Sequence, residues 1–214
     1  MTLNSAGVFV IGLTGGTGSG KTTAAAVMAR EGAVILDCDE IAHEILTPGY
    51  AAYKDAVEVF GAGIVRADGT IDRRRLGAII FAEPGMRARL MELTFKHIIK
   101  EVLSRLESLR RQALADRRGR AAVIDAPLLI EAGLHKAADE VWLLRAAESL
   151  RVTRAARRDN LDPESVLLRA RSQLPFDQLK KHAHVIIENE GSLADLEEKV
   201  TKLFCVSIHN RVGP

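Results

Sequence analysis

The chain has 214 residues, 47% of them apolar, which is enough to bury a core and fits one domain carrying insertions better than two independent domains. Thirty basic and 28 acidic residues leave a formal charge of +2. No global charge excess points to nucleic acid or a membrane surface, so any anion site has to be local.

Short apolar runs at 8–13, 33–36, 121–124, 140–144 and 184–187 have the length and bounding turns of buried strands. Long helical patterns separate them, the signature of a parallel five-stranded α/β sheet covered by helices on both faces. The first run has no basic segment before it and glycines straight after it, so it reads as a strand and not as a signal peptide. No apolar run reaches the roughly 18 residues of a membrane span. Cys38 and Cys205 are too few for a disulfide scaffold and share no metal-ligand spacing. Two free thiols in a reducing, cytoplasmic compartment are expected, with no membrane partner.

After the first run comes Gly15-Gly16-Thr17-Gly18-Ser19-Gly20-Lys21-Thr22, which satisfies G-x-x-x-x-G-K-[ST]. Glycines let backbone N–H groups turn inward around phosphate oxygens, and the helix that follows adds its positive dipole end. Lys21 is placed to reach the β- and γ-phosphates of a nucleoside triphosphate, and the Thr22 hydroxyl to ligate Mg²⁺. A guanine-selecting N-K-x-D string is absent, and the chain is too short for a motor or transporter ATPase. A small kinase, in which a second molecule supplies the attacking oxygen, fits best.

A helix is expected over 22–30 and stops at Gly32; the second run then leads into Asp37-Cys38-Asp39. If extended geometry continues through Cys38, a period of two puts both carboxylates on one side, facing the space over the phosphate loop. One could then accept the proton of an attacking hydroxyl. The competing reading is helix capping, because Asp39 precedes "EIAHEIL" and Asp37 with Glu40 has capping-box spacing. His43 lies one helical turn beyond Asp39 and could share its face.

The interval 41–118 is too long for a simple crossover and reads as a mostly helical insertion, with helices over 51–60, 73–81 and about 85–115 and a turn at Asp68-Gly69. The long helix is basic, but glutamates interleave its cations and aromatic residues are scarce, so it reads as a solvated face and no nucleic-acid partner is expected. Beyond the fourth strand, helices over 149–158 and 164–171 carry many arginines. They form either a lid above the carboxyl ends of the strands or a solvated helix pair. Residues 206–214 show no pattern and are expected to be disordered.

The stretches "GLTGGTGSGKTT", "ILDCDEIAHEILTPG", "FG…DGTIDRRRLG…IF", "VIDAPLLIEAG" and "RAARRDN" resemble, in this order and spacing, the dephospho-CoA kinases. That family transfers the ATP γ-phosphate to the ribose 3′-hydroxyl of dephospho-coenzyme A, the final step of coenzyme A biosynthesis. The resemblance runs from about Phe9 to Gly191.

It implies a P-loop kinase core at 1–40, 119–148 and 183–214, an acceptor-binding insertion at 41–118 and a lid at 149–182. ATP and Mg²⁺ are implied, with Gly16, Thr17, Gly18, Ser19, Gly20, Lys21, Thr22 and Thr23 around the phosphates and Asn189 near the adenine. Arg154 and Arg158 fall at the spacing of the family's lid arginines, and Asp125 where a Mg²⁺-associated aspartate is expected beside Thr22. Asp39 becomes the general base, with Asp37 and His43 beside it, and Asp72-Arg73 occupies a D-R position in the acceptor region.

Two positions depart from the pattern: Phe95-Lys96 stands where a His-Pro pair is usual, with His97 displaced, and His184 replaces an acidic residue. A monomer is expected. A kinase for another small acceptor, such as a nucleoside or nucleotide, and a nucleotide-binding regulator without transfer activity are the alternatives.

Overall fold

A computed structural model describes residues 7–83, 85–159 and 173–212, except for the side chains of Arg158, Asp159, Asn210 and Val212. The expected helix over 164–171 lies outside the described residues, as do residues 213–214. The elements in chain order are β1 (Val8–Gly15), α1 (Lys21–Arg30), β2 (Val34–Asp37), α2 (Cys38–Glu44), α3 (Ala51–Phe60), α4 (Arg73–Ala82) and α5 (Met86–Asp116). Then follow β3 (Arg120–Asp125), β4 (Glu140–Arg145), α6 (Glu148–Asp159), α7 (Phe176–Lys180), β5 (Val185–Glu188) and α8 (Leu193–Val212). The chain divides into two compact units, one comprising 1–37 with 105–214 and the other 38–104. Each is described by itself.

The first unit is built on a five-stranded sheet in the order β2-β3-β1-β4-β5, with every pairing parallel. β1 is central and buried along its whole length, as its unbroken apolar sequence predicts. Its alternate residues Phe9, Ile11 and Leu13 pack with Val27 and Met28 of α1, Trp142 and Leu144 of β4, and Phe204 of α8 in one buried cluster. On the opposite face Gly12 leaves room for Leu129, whose Cδ2 would stand 2.8 Å from an added Cβ. β2 and β5 are the sheet edges, and only one residue of each is fully buried.

The disorder expected over 206–214 is overturned by α8, which runs unbroken to Val212. Its Leu196, Val200 and Phe204 recur every four residues and are buried against the sheet cluster. The β-branched residues of "KVTKLFCVSI" weaken intrinsic helix propensity, and tertiary burial of that stripe outweighs it.

The second unit has its own small core of Ala56, Ile64, Ile71 and Leu76, flanked by Tyr53, Phe60 and Leu90. The expected turn at Asp68-Gly69 is held by Thr70, which donates both its N–H (2.9 Å) and its hydroxyl (2.7 Å) to Asp68 Oδ1. Those two bonds hold the Asp68 carboxyl below its ordinary pKa, the hydroxyl contact most strongly. The Tyr53 hydroxyl donates to the Gly69 carbonyl at 2.7 Å, tying the turn to α3. His97 of α5 pairs through Nε2 with Asp55 Oδ2 of α3 at 2.7 Å. The long helix is shared between units: from Arg105 onward α5 belongs with the sheet.

Phe204→Ala removes the largest side chain that α8 contributes to the sheet cluster, and a destabilisation of about 3–5 kcal/mol is expected in urea unfolding. A loss below about 1 kcal/mol would contradict the packing role given to α8.

Candidate active site

Gly15 closes the central strand β1 and Lys21 opens α1, so the glycine loop sits at the carboxyl end of the sheet, where open α/β folds bind ligands. The loop closes on itself through a bond from Ser19 N–H to the Gly16 carbonyl at 3.0 Å. Gly20 takes φ +103° at the helix cap, a left-handed conformation that a side chain would strain. The N-cap residue Gly20 makes no side-chain cap bond to α1, and the first turn of the helix holds no acidic residue. The positive end of this ten-residue helix therefore favours an anion at the loop.

Two distant side chains pin the loop. The Asn189 side chain, only 5% exposed, donates Nδ2 to the Ser19 carbonyl at 2.8 Å, and its backbone N–H donates to the Arg145 carbonyl. Thr17 N–H donates to Gln173 Oε1 at 3.3 Å, while Gln173 Nε2 donates to the Pro127 carbonyl at 3.0 Å. Leu174 N–H donates to Glu131 Oε1 at 2.8 Å, so the "PLLIE" stretch holds the Gln173-Leu174 pair. Lys21 Nζ donates to the carbonyls of Gly15 (2.7 Å) and Gly16 (3.4 Å), which places the ammonium on the loop itself. Thr22 is exposed on the first turn of α1, with Thr23 half-buried beside it. Among the described residues the buried Ser19 hydroxyl has no hydrogen-bond partner.

Asp37 and Asp125 end adjacent strands and are register partners, as Leu13 and Asp125 are on the other side of β3. Carboxylate and hydroxyl oxygens suit Mg²⁺. Among the described residues no group of three His, Cys, Asp or Glu side chains could hold a metal ion. The residues present therefore fit a Mg²⁺ that keeps phosphate oxygens and water as most of its ligands.

Extended geometry does not continue through Cys38. β2 ends at Asp37, and Cys38 is the first residue of α2, buried together with Ile41 at helical spacing. The period-two argument for Asp37 and Asp39 therefore fails. Asp39 and Glu40 occupy the first turn of α2, where the helix dipole favours negative charge. Asp39 and His43 are both exposed and four residues apart on α2, within the second unit, whereas Asp37 belongs to the first.

Asp72 caps α4, its Oδ1 accepting from the N–H groups of Arg74 (2.9 Å) and Arg75 (3.2 Å). The Arg75 bond, the Arg74 bond and the nearby Arg66 and Arg75 guanidinium groups hold its carboxyl below the ordinary aspartate value. Arg73, next in sequence, is exposed.

Arg154 donates Nη1 to the Asn189 carbonyl (3.0 Å) and Nη2 to the Gly191 carbonyl (3.2 Å), so it clamps the turn between β5 and α8. The side chain of Arg158 lies outside the described residues. Gln173 and Glu131 escaped the sequence reading because their partners are remote: Gln173 and Thr17 are 156 residues apart. Beside the loop lies a cleft of about 740 Å³, with Gly16, Leu144, Ala147, Arg151, Gln173 and Phe176 among its lining.

The sequence pattern of the dephospho-CoA kinase family matches residues 9–195. A dephospho-CoA kinase of Geobacter sulfurreducens is 38% identical over 195 residues, covering 91% of this chain and 96% of that protein. Among solved structures, TT1252 from Thermus thermophilus superposes with a TM-score of 0.73 at 28% identity, over 94% of this chain and 98% of its own. A dephospho-CoA kinase from Campylobacter jejuni shares the fold, with a TM-score of 0.69 at 23% identity over 95% and 98% of the two chains.

Gly20→Ala should leave the fold intact by circular dichroism yet weaken ATP binding at least about tenfold, since its Cβ would meet Asn189 Nδ2 at 2.4 Å in a left-handed backbone. Unaltered ATP affinity in this variant would refute the role given to the loop geometry.

Proposed function

The chain belongs to the dephospho-CoA kinase family, and we propose on that footing that it phosphorylates the ribose 3′-hydroxyl of dephospho-coenzyme A with ATP, giving coenzyme A and ADP. The observation that carries the acceptor's identity is the 38% identity spread over 91% of the chain. The glycine loop and the start of α1, whose first turn holds no acidic residue, support the donor half of the reading independently.

In this reading the loop amides and Lys21 hold the β- and γ-phosphates, with Lys21 leaving its contacts on the Gly15 and Gly16 carbonyls to do so. Thr22, through its hydroxyl, and Asp125 would hold Mg²⁺, with Asp37 at the neighbouring strand end. When bound, that ion neutralises charge developing between the β- and γ-phosphates. Asp39 accepts the proton of the 3′-hydroxyl as its oxygen attacks the γ-phosphorus in line; the bond to the bridging oxygen breaks and ADP leaves.

The acceptor binds the second unit, with His43 and Arg73 among its polar contacts, while Asp72 acts through the α4 cap. Arg154 and Asn189 serve the donor side by fixing the turn after β5, and Arg158 is assigned there from the family spacing. Among the described residues no helix is long and apolar enough to cross a membrane, and Cys38 and Cys205 are both free thiols.

The test follows ADP formation from ATP and Mg²⁺ with dephospho-CoA, and in parallel with nucleosides and nucleoside monophosphates. ADP formation that depends on dephospho-CoA alone is expected; stimulation only by a nucleoside or nucleotide would assign another acceptor, and none with any acceptor would leave a binding protein. Asp39→Asn should lower kcat by about 10²–10⁴ with ATP affinity retained, and unchanged turnover would refute the base assignment.

A further inference from the structure

We infer that Arg151 is a donor-phosphate-binding residue of this chain, an inference that rests on the kinase reading and adds a cation that the motif spacing does not assign. Arg151 lies in the first turns of α6 and is half-buried against the glycine loop. Its Nη1 stands 2.0 Å, and its Cζ 3.0 Å, from the position a Cβ on Gly16 would take. Its backbone carbonyl oxygen is 2.2 Å from the corresponding position at Gly18. Both ends of the residue therefore occupy space that the loop glycines vacate. The guanidinium is brought to the loop edge, in the wall of the 740 Å³ cleft.

Charge makes this placement informative. Two carboxylates, Glu148 and Glu190, also line the cleft. Glu190 Oε1 accepts the Ala147 N–H at 2.8 Å. Among the described residues neither carboxylate, nor any other, is within ion-pair distance of Arg151, and its guanidinium makes no hydrogen bond there. A half-buried guanidinium with no partner among the described residues is unfavourable beside the positive end of α1 and the Lys21 ammonium. A polyphosphate in the loop reverses that sign, since a guanidinium fork matches phosphate oxygens and the contact strengthens in a cleft that excludes water.

Arg154, one turn along α6, is in a different situation. Both of its terminal nitrogens are committed to the carbonyls of Asn189 and Gly191. The two arginines thus divide the work: Arg154 shapes the wall through the turn after β5, and Arg151 faces the donor.

The test compares wild type, Arg151→Gln and Arg151→Lys by calorimetric titration with Mg²⁺-ATP, ADP and AMP, with thermal melting as a check of folding. Arg151→Gln is expected to weaken ATP binding roughly tenfold or more. ADP should lose less and AMP least, Arg151→Lys should recover part of the loss, and KM for the acceptor should stay unchanged. An equal loss for all three nucleotides, or no loss, would overturn the inference, the first result marking Arg151 as a packing residue. A wild type that binds no ATP would overturn the kinase reading and this inference with it, whereas binding by wild type that Arg151→Gln retains in full overturns the inference alone.

Discussion

The hydrogen bond from Asn189 Nδ2 to the Ser19 carbonyl is the contact on which the donor site depends. Buried, it joins the loop after the central strand to the end of an edge strand, and the same Asn189 is tied through its own N–H to β4 and through its carbonyl to α6. Its approach is possible only because Gly20 has no Cβ. A loop of mostly glycines would otherwise be the most mobile segment of the unit. Pinning it in advance shifts the ordering cost into folding, where core packing offsets it, and leaves the loop preorganised for phosphate.

The electrostatics follow from the same arrangement. With a net charge of only +2, the chain cannot attract a triphosphate by its overall field. It concentrates positive potential instead: the N-terminus of α1, the Lys21 ammonium and the Arg151 guanidinium converge on a few loop residues. Elsewhere several cations are held in ion pairs, as with Arg30 and Glu197 or Arg145 and Glu188. Asp72 shows the opposite use of charge, a carboxylate spent on a helix cap and two arginines.

All five strands were legible because each contains a short apolar run, almost wholly buried in β1, β3 and β4 and only partly in the edge strands β2 and β5. The phosphate loop was legible because glycine spacing and Lys-Thr are local requirements. Three features were not. α8 hid its apolar stripe among charged and β-branched residues, so only its partners Phe9 and Trp142 explain why it is a helix. The Asp37-Cys38-Asp39 segment suits either a strand or a helix start, and burial of Cys38 with Ile41 decides for the helix. Gln173, Glu131 and Arg151 reach the loop region from remote positions, and no short-range spacing encodes such contacts.

The central claim is that phosphate moves from ATP to a specific oxygen of a specific acceptor. Phosphorus-31 NMR of the product formed from ATP, Mg²⁺ and dephospho-CoA tests it most directly. A new phosphomonoester resonance coupled to the ribose 3′ proton is expected, appearing in step with ADP. Release of the γ-phosphate as inorganic phosphate, or a phosphomonoester at another position, would contradict it.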